Sequence, residues 1–173
     1  MQASPPAGLK FNRPIEAKRR FDVSSERLWD MISAPGSLND NHPFCRTNEV
    51  LSWGDDERAD RLEYLNGRTY VRRFQSWTPT EGYTLLIGEE GGYQSFVEWT
   101  VNAEGEHQST LTICVHPFLL AGWPKWASAL PYRWWIRPRL TRYLKAVLAG
   151  YHHVEATGEA VPRNHFGRHG WFS

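Results

Sequence analysis

Cysteine is scarce in this chain of 173 residues, where Cys45 and Cys114 are the only two. Two widely separated thiols supply neither a disulfide framework nor a cysteine-rich zinc site. The chain also lacks a run of about 18 apolar residues, the length that a membrane-spanning helix needs. Its first residues contain no continuous apolar stretch of the kind found in secretion signals. These absences predict a soluble, reduced and cytoplasmic protein.

Excess charge is absent too, because the formal net charge is only +1. Hydrophobic residues make up 40% of the chain, which disfavours intrinsic disorder and, with the neutral charge balance, a nucleic-acid partner. Aromatic residues, by contrast, are abundant, with 9 Trp, 7 Tyr and 8 Phe. Large rings leave awkward spaces between them. A single domain of this size therefore has either a very bulky core or a lined hollow.

The chain begins with a pattern that predicts a flexible arm, one strand and two short helices. Prolines and a glycine disfavour regular structure over residues 1–14. The run IEAKRRFDV predicts the strand. SSERLWDMIS predicts a helix that is capped by Ser24 or Ser25 and ends at Pro35-Gly36, and GSLNDNHPF predicts a second short helix or turn.

Between residues 46 and 117, short β-branched and aromatic runs alternate with turn residues. The runs are TNEVLSW, RADRLEYL, RTYVRRFQSW, GYTLLIG, SFVEWTV and STLTICVHPF. Asn66-Gly67 gives the strongest signal for a two-residue hairpin. Because no helical pattern separates these runs, they predict an antiparallel meander, strongly curved if it surrounds something.

The last part of the sequence predicts one long helix after the connection LLAGWPKWASALPYRWWIRP. The helix begins near Pro138, a residue that suits the first helical position. Its apolar residues recur at helical spacing and form one stripe: Leu140, Tyr143, Leu144, Val147, Tyr151 and Val154. The domain then spans residues 15–157. The aromatic tail at 158–173 is too apolar to stay free in water, so we expect it to dock on the body or on a second subunit.

This order of elements, together with FDVSSERLWDMISAPGSL, resembles the START-like (SRPBCC) superfamily, which includes Bet v 1-like proteins, lipid-transfer START domains and polyketide cyclase/aromatase domains. Residues Ser25, Glu26, Leu28, Trp29 and Pro35 match the local motif. NHPFC and RNHFGRHGWFS set the chain apart as a separate bacterial branch. The resemblance implies an α+β helix-grip fold, in which a curved antiparallel sheet wraps around a long C-terminal helix and encloses a hydrophobic pocket. It does not imply one function.

The stretch NHPFC places His42 three residues before Cys45 and allows several interpretations. A zinc site would need more ligands, and none of the other histidines has a ligand spacing with Cys45: His107, His116, His152, His153, His165 and His169. A nucleophilic pair of Cys45 and His42 would need an orienting acid, such as Asp40, and an oxyanion hole that nothing marks. We therefore favour a turn in which Phe44 plugs the core and His42 caps the turn or hydrogen-bonds a ligand. The sequence predicts no metal and no cofactor.

Polar residues within the strands are further candidates. Alternation places Tyr70, Arg72 and Phe74 on one face of a strand, so either Arg72 or Arg73 points inward. An inward arginine paired with Glu98 would form a polar floor in the pocket, because an unpaired guanidinium is costly to bury. We favour the alternative, in which these charges lie on a solvated outer face.

The charges are unevenly distributed along the chain. No Asp or Glu falls between His107 and Val154, whereas that stretch carries six Lys or Arg residues and four tryptophans. Arg137 and Arg139 lie at the predicted start of the long helix, where the backbone favours an anion. This arrangement suits an anionic ligand group at the pocket entrance or an anionic surface, unless the arginines merely reach water over a packed core.

These observations predict binding or carriage of a small hydrophobic ligand, lipid-like or aromatic, with an acidic end. The expected pocket residues are His42, Phe44, Tyr70, Arg72, Val97, Trp99, Tyr143, Val147 and Tyr151, with Arg137 and Arg139 at the entrance. One alternative is a cyclase/aromatase-type enzyme that works without a metal. Another is an interaction module that uses the Trp/Arg-rich segment 118–142. A peripheral membrane, an acidic protein and a second copy of the chain are the remaining partners considered.

Overall fold

Seven strands form one antiparallel sheet in the computed structural model, which describes residues 5–173 apart from the side chain of Lys125. The strands are β1 Ile15–Phe21, β2 Cys45–Trp53, β3 Arg58–Tyr64, β4 Thr69–Thr78, β5 Gly82–Gly88, β6 Gln94–Gly105 and β7 Gln108–His116. Their order in the sheet is β1-β7-β6-β5-β4-β3-β2. Strands β2 to β7 therefore form the predicted meander, and β1 closes onto its last strand.

Four α-helices accompany the sheet in the described part of the chain. They are α1 Ser25–Ser33, α2 Leu38–Asn41, α3 Lys125–Pro131 and α4 Arg137–Thr157. The Ser24 hydroxyl caps α1 by accepting the backbone N–H of Arg27 at 3.3 Å. Helix α4 ends at Gly158, whose φ of 72° is the left-handed conformation that favours glycine. No described helix is both long and apolar enough to cross a membrane.

Alternation of side chains decides which strand residues reach the core. Along β7, Leu111, Ile113 and Val115 are buried, whereas Thr112 and Cys114 on the other face are only partly covered. Helix α4 packs its own apolar stripe onto the concave face of the sheet, and Leu144, Val147 and Tyr151 are all buried there. The sheet and this helix together confirm the predicted helix-grip architecture.

Gly150 allows α4 to approach the loop that carries His42. A Cβ atom at this position would lie 2.1 Å from the backbone oxygen of Asn41, so any side chain would push the helix away. This close approach fixes the distance between the α2–β2 loop and the buried face of α4.

The N-terminal segment and the segment before α4 differ in structure. The predicted arm begins in residues 1–4, which lie outside the described residues, and residues 5–14 contain no helix or strand. The sequence indicates only a connection before the long helix and does not predict that most of it is helical. Helix α3 runs directly into a π-helical turn, Tyr132–Ile136, and then into α4.

The continuous helical path removes the proposed anion-binding helix terminus. The backbone N–H of Arg137 donates to the carbonyl of Tyr132 and is therefore already used. Arg137 and Arg139 thus do not lie beside a free helix N-terminus, contrary to expectation, because the chain is helical before them.

Candidate functional site

A small cavity of about 90 Å³ lies between the concave face of the sheet and α4. Apolar side chains from five strands form most of its wall. The lining residues are Leu38, His42, Leu62, Tyr64, Tyr70, Arg72, Leu85, Ile87, Ser95, Val97, Trp99, Ile113, Val115, Leu140, Tyr143, Leu144, Val147 and Phe172. The cavity is therefore hydrophobic, with a few polar groups at defined positions.

Most of the residues expected in the pocket line this cavity, but two lie behind its wall. Phe44 is buried and stacks against Tyr143, with ring centroids 6.0 Å apart. Tyr151 is also fully buried, and its ring meets Trp99 edge-on with centroids 5.6 Å apart. Phe44 and Tyr151 thus pack behind Tyr143 and Trp99, which line the cavity. Two lining residues that the sequence did not indicate are Tyr64, which hydrogen-bonds Tyr143, and Phe172, which packs against both tyrosines.

His42, Tyr143 and Tyr64 form a chain of hydrogen bonds at the cavity wall, called the polar chain below. The backbone N–H of Phe44 donates to His42 Nδ1 at 3.1 Å. The ring hydrogen must then sit on Nε2, which donates to the Tyr143 hydroxyl oxygen at 2.9 Å. The hydroxyls of Tyr143 and Tyr64 lie 3.1 Å apart.

The polar chain has one more hydrogen than it can use internally. The histidine N–H and the two hydroxyls supply three donor hydrogens. One joins His42 to Tyr143, and a second joins the two tyrosines. One hydroxyl hydrogen remains for an acceptor, and none of the described residues supplies a further acceptor to this chain. The wall therefore offers a hydrogen-bond donor to an oxygen atom inside the cavity.

Burial keeps the polar chain uncharged at neutral pH. Desolvation, aided by the charge of Arg72, lowers the pKa of His42 to about 3. Desolvation also raises the pKa of Tyr64 and of Tyr143 well above the usual value of a tyrosine. At neutral pH the chain thus consists of a neutral imidazole and two intact phenols.

Arg72 points inward, as one of the two interpretations of its strand required, but its partner is Asp60. Arg72 Nε donates to Asp60 Oδ1 at 2.7 Å, and a second bond joins Nη2 to Oδ2. The side chains are 5% and 0% exposed. Burial alone would lower the pKa of Arg72, yet the charge and hydrogen bonds of Asp60 outweigh it and raise that pKa.

The favoured interpretation, a solvated outer face, is therefore wrong for Arg72, and the alternative of a polar floor formed by an arginine and Glu98 is not found either. Glu98 lies on the opposite face of the sheet, where its Oε1 is 3.1 Å from His116 Nε2. Arg73 does reach the surface, and its side chain is 42% exposed near Glu90. The inward guanidinium is neutralised by Asp60 rather than being available to a ligand carboxylate.

The geometry around NHPFC answers the question of its chemistry. Both ring nitrogens of His42 are engaged by Phe44 and Tyr143, so the imidazole has no free nitrogen for Cys45. Burial raises the pKa of the Cys45 thiol to about 11, which opposes thiolate formation. The favoured turn, with Phe44 in the core, fits these contacts, and the nucleophilic pair does not.

A wider entrance depression, of about 490 Å³, adjoins the cavity. The two spaces share Tyr70, Ser95, Val115, Leu140 and Phe172 as lining residues. Tyr93, Phe118, Trp135 and Trp171 form much of the remaining rim of the entrance depression. The entrance depression is thus as aromatic as the interior.

The C-terminal tail passes over the α2–β2 loop and ends at the boundary between these spaces. The backbone N–H of Val161 donates to Asp40 O at 2.8 Å. Phe172 is 6% exposed, and its ring centroid lies 4.4 Å from that of Tyr64 and 4.6 Å from that of Tyr143. Phe172 therefore separates the cavity from the entrance depression.

The two arginines expected at the entrance lie in different places. Arg139 lies over Trp135 and Trp171, with its guanidinium carbon 4.7 and 5.9 Å from the ring centroids, and so borders the entrance depression. Arg137 lies in a surface groove of about 620 Å³ on the solvent side of α4, together with Arg133, Arg142 and Lys145. Of these two arginines, only Arg139 borders the entrance depression, whose lining also includes Arg68 and Glu89.

Four tryptophans stand out from the surface beside the entrance. Trp123, Trp126, Trp134 and Trp135, together called the tryptophan face, are 58%, 83%, 71% and 51% exposed. Leu130, between them in sequence, is 67% exposed. Such exposed apolar groups on one segment are unusual for a surface without a partner.

A curved antiparallel sheet that grips a long C-terminal helix around a cavity is the helix-grip fold of START-like proteins. No family model and no curated protein matches the chain. Among solved structures, the di-domain ARO/CYC BexL from the BE-7585A biosynthetic pathway is similar, with a TM-score of 0.64 and 11% identity over 82% of this chain and 46% of BexL. The chain thus spans less than half of that protein.

Two further structures are similar over nearly their whole length. The Zhui aromatase/cyclase from Streptomyces sp. R1128 has a TM-score of 0.59 and 17% identity, covering 86% of this chain and 99% of Zhui. TTHA0849 from Thermus thermophilus has a TM-score of 0.66 and 12% identity, covering 84% and 99%. At these identities the likeness establishes the fold.

Proposed function

We propose that this protein binds and carries a small, mainly apolar molecule in the cavity between its sheet and α4. The observation that carries the proposal is a hydrophobic cavity whose wall includes the polar chain, with one hydroxyl hydrogen that the chain does not use internally. Ligand sites of this composition use apolar walls for affinity and a few polar groups for orientation. The polar chain selects a ligand with a neutral oxygen, a carbonyl or hydroxyl, at its inner end.

The size of the cavity dictates how such a ligand lies. The cavity holds about 90 Å³, whereas a site for a drug-sized molecule needs roughly 300 Å³ or more. The inner end of the ligand therefore occupies the cavity, and its remainder extends into the entrance depression of about 490 Å³. Phe172 stands at the boundary, so it turns aside when the ligand enters.

Charge at the outer end favours an acidic ligand. Asp60 already neutralises Arg72, so the inner wall offers no net positive charge. Arg139, beside Trp135 and Trp171, supplies a cation at the rim. A carboxylate at the outer end of the molecule would meet this guanidinium while the aromatic or acyl body remains in the apolar space.

Native mass spectrometry of the purified protein, followed by organic extraction, tests this proposal. We expect a bound small molecule, at most one per chain, that co-purifies with the protein. The variant Val147→Trp should lose it, because Val147 lines the cavity and the indole fills the space. Recovery of the same molecule from both proteins would contradict the proposal.

A second candidate function is cyclisation of a poly-β-ketone, as the names of BexL and Zhui suggest for those proteins. The hydroxyl hydrogen that the polar chain does not use internally could polarise a ketone of the substrate. The cavity and the entrance depression together would hold the poly-β-ketone folded. An enol carbon would then form a bond to the ketone carbon, and the ketone oxygen would take up the enol proton and become a hydroxyl. That hydroxyl would later leave as water together with a hydrogen from the adjacent carbon, as a carbon–carbon double bond forms. Tyr143→Phe should slow formation of the aromatic product from a poly-β-ketone mimic if this is the activity.

Carriage stands ahead of cyclisation because the site lacks a matched base. His42 has a pKa of about 3 and both of its nitrogens in hydrogen bonds. General acid–base catalysis works best when the catalytic pKa lies near the working pH. The cavity is better suited to orienting a molecule than to moving its protons.

The tryptophan face provides a docking surface for loading the cavity, and we propose that it rests on an anionic membrane. Tryptophans settle at the level of lipid headgroups, and the neighbouring Arg133 and Arg137 add attraction to anionic lipids. Vesicles of phosphatidylserine and phosphatidylcholine should retain the wild-type protein but not the double variant Trp126→Ser/Trp134→Ser. Equal retention, or a dimer that buries these tryptophans, would contradict membrane docking.

A further inference from the structure

Three potential metal ligands meet on the convex face of the sheet, away from the cavity. Glu98 of β6 pairs directly with Cys114 of β7 in the ladder. His116 lies two residues farther along β7, so its side chain points to the same face as Cys114. The ligand atoms of all three residues lie within 4.8 Å of one another.

Two of the three distances between these atoms are close to those around a tetrahedral zinc ion. Cys114 Sγ is 3.7 Å from His116 Nε2, and His116 Nε2 is 3.1 Å from Glu98 Oε1. Bond lengths of about 2.0–2.3 Å at tetrahedral angles place ligand atoms roughly 3.3–3.6 Å apart. These two distances need shifts of only a few tenths of an ångström to fit one ion, and the third, between Cys114 Sγ and a Glu98 oxygen, is within 4.8 Å.

Burial and charge also favour a cation at this position. The side chains of Glu98 and His116 are only 10% and 16% exposed. Glu16 of β1 pairs with Cys114 from the other side, so carboxylate residues flank the cysteine in both neighbouring strands.

We propose that Glu98, Cys114 and His116 bind one divalent ion of the zinc type, with a water molecule as the fourth ligand. On binding, the Cys114 thiol releases its proton to solvent and its sulfur bonds to the metal. Because the site lies outside the cavity, the ion acts by fixing β6 to β7 rather than by contacting the carried molecule. The proposed site departs from the sequence-based expectation of a chain without metal, and it is independent of the proposed function.

Cobalt titration of chelator-treated protein tests the site without any assay of function. Co²⁺ bound by a thiolate gives a near-ultraviolet sulfur-to-metal charge-transfer band, and tetrahedral Co²⁺ gives intense visible bands. We expect one equivalent of Co²⁺ to produce both signals and one equivalent of Zn²⁺ to abolish them. Zn²⁺ should also raise the melting temperature, because it binds only the folded chain.

Matched variants then locate the ion. Cys114→Ser should lose the charge-transfer band, and Cys114→Ser and His116→Asn should each lower affinity by about tenfold or more, since even second-shell changes cost that much. Cys45→Ser, at the other thiol, should keep the band. His153→Asn probes the surface pair of His153 and His165, whose rings lie 4.9 Å apart. Circular dichroism checks that each variant is folded.

Three outcomes would overturn the proposal. They are the absence of a charge-transfer band in the wild-type protein, its survival in Cys114→Ser, and loss of cobalt binding in His153→Asn with retention in both Cys114→Ser and His116→Asn.

Discussion

Arg72 and Asp60 face each other across β4 and β3 and form a two-point ion pair at the wall of the cavity. Both side chains are almost completely removed from water. The desolvation of two charges offsets much of their attraction, so such a pair is sensitive to the loss of either partner.

Asp60→Asn should therefore lower the free energy of unfolding by about 3–5 kcal/mol, because it leaves an uncompensated guanidinium in the core. The double variant Asp60→Leu/Arg72→Met should lose much less unfolding free energy, because it buries no charge. Urea denaturation of Asp60→Leu, Arg72→Met and the double variant measures the coupling between the two side chains. Additive losses would show that the pair does not act as a unit.

Stability should fall in mild acid because of His42. Its pKa is about 3 in the folded protein, against an ordinary value of 6.5. Below pH 6.5, His42 becomes protonated in the unfolded chain but stays neutral in the folded protein. The stabilisation that comes from keeping His42 neutral is fully present above pH 6.5. It is lost as the pH falls towards 3, by about 1.4 kcal/mol of unfolding free energy per pH unit at most.

Urea denaturation between pH 7 and pH 4 measures this slope. His42→Gln should flatten it, whereas the exposed His107→Gln should leave it unchanged. An identical slope in His42→Gln would place the acid sensitivity elsewhere in the protein.

Phe172 should restrict access to the cavity and also stabilise the fold. Its ring packs on Tyr64 and Tyr143, so Phe172→Ala should lower the free energy of unfolding by about 3–5 kcal/mol. The same change should speed the uptake of 2-naphthol, as measured by stopped-flow fluorescence. Truncation after Pro162 should have both effects, and an unchanged melting temperature would contradict the docking of the tail.

Acidic ligands should bind more tightly than their neutral esters because of Arg139. Dodecanoic acid should therefore bind better than its methyl ester at low salt, in competition with 2-naphthol. Arg139→Gln should remove this difference and leave the affinity for the ester unchanged. Arg137→Gln is the matched control, since Arg137 lies in the separate groove on α4. Equal effects of the two changes would contradict a specific role for Arg139.

The sequence predicts the sheet well because alternation and turn residues are local signals. The run GYTLLIG coincides with β5, and the stripe on α4 contains Leu140, Leu144, Val147 and Tyr151, all of which are buried. Helix α3 was missed because Pro124 and Pro131, which flank it, were read as residues that interrupt helical structure. Proline at the first turn of a helix and at its junction with a π-turn is compatible with helical structure.

The partner of Arg72 could not be predicted because it depends on the register of one hairpin. A two-residue turn at Asn66-Gly67 would place Arg73 opposite Asp60. The turn instead contains Leu65 as well, since the Tyr64 N–H donates to the Arg68 carbonyl at 2.8 Å. This shift by one residue exchanges the two faces of β4 and brings Arg72 to Asp60.

The polar chain and the cluster on the convex face were missed for a related reason. Tyr64, Tyr143 and His42 are distant in sequence, and only the fold brings their polar atoms within 3.1 Å of each other in succession. Cys114 and His116 did carry a signal, because their spacing of two places them on one face of a strand. Their third partner, Glu98, required knowledge of strand pairing.

The central claim is that the interior cavity binds an apolar ligand, and titration with 2-naphthol followed by tryptophan fluorescence tests it most directly. The wild-type protein should bind one molecule per chain. Val147→Trp, which fills the cavity, should abolish binding, whereas Ala149→Leu, on the solvent side of the same helix, should not affect it. Saturable binding with equal affinity in the wild type and both folded variants would contradict the account.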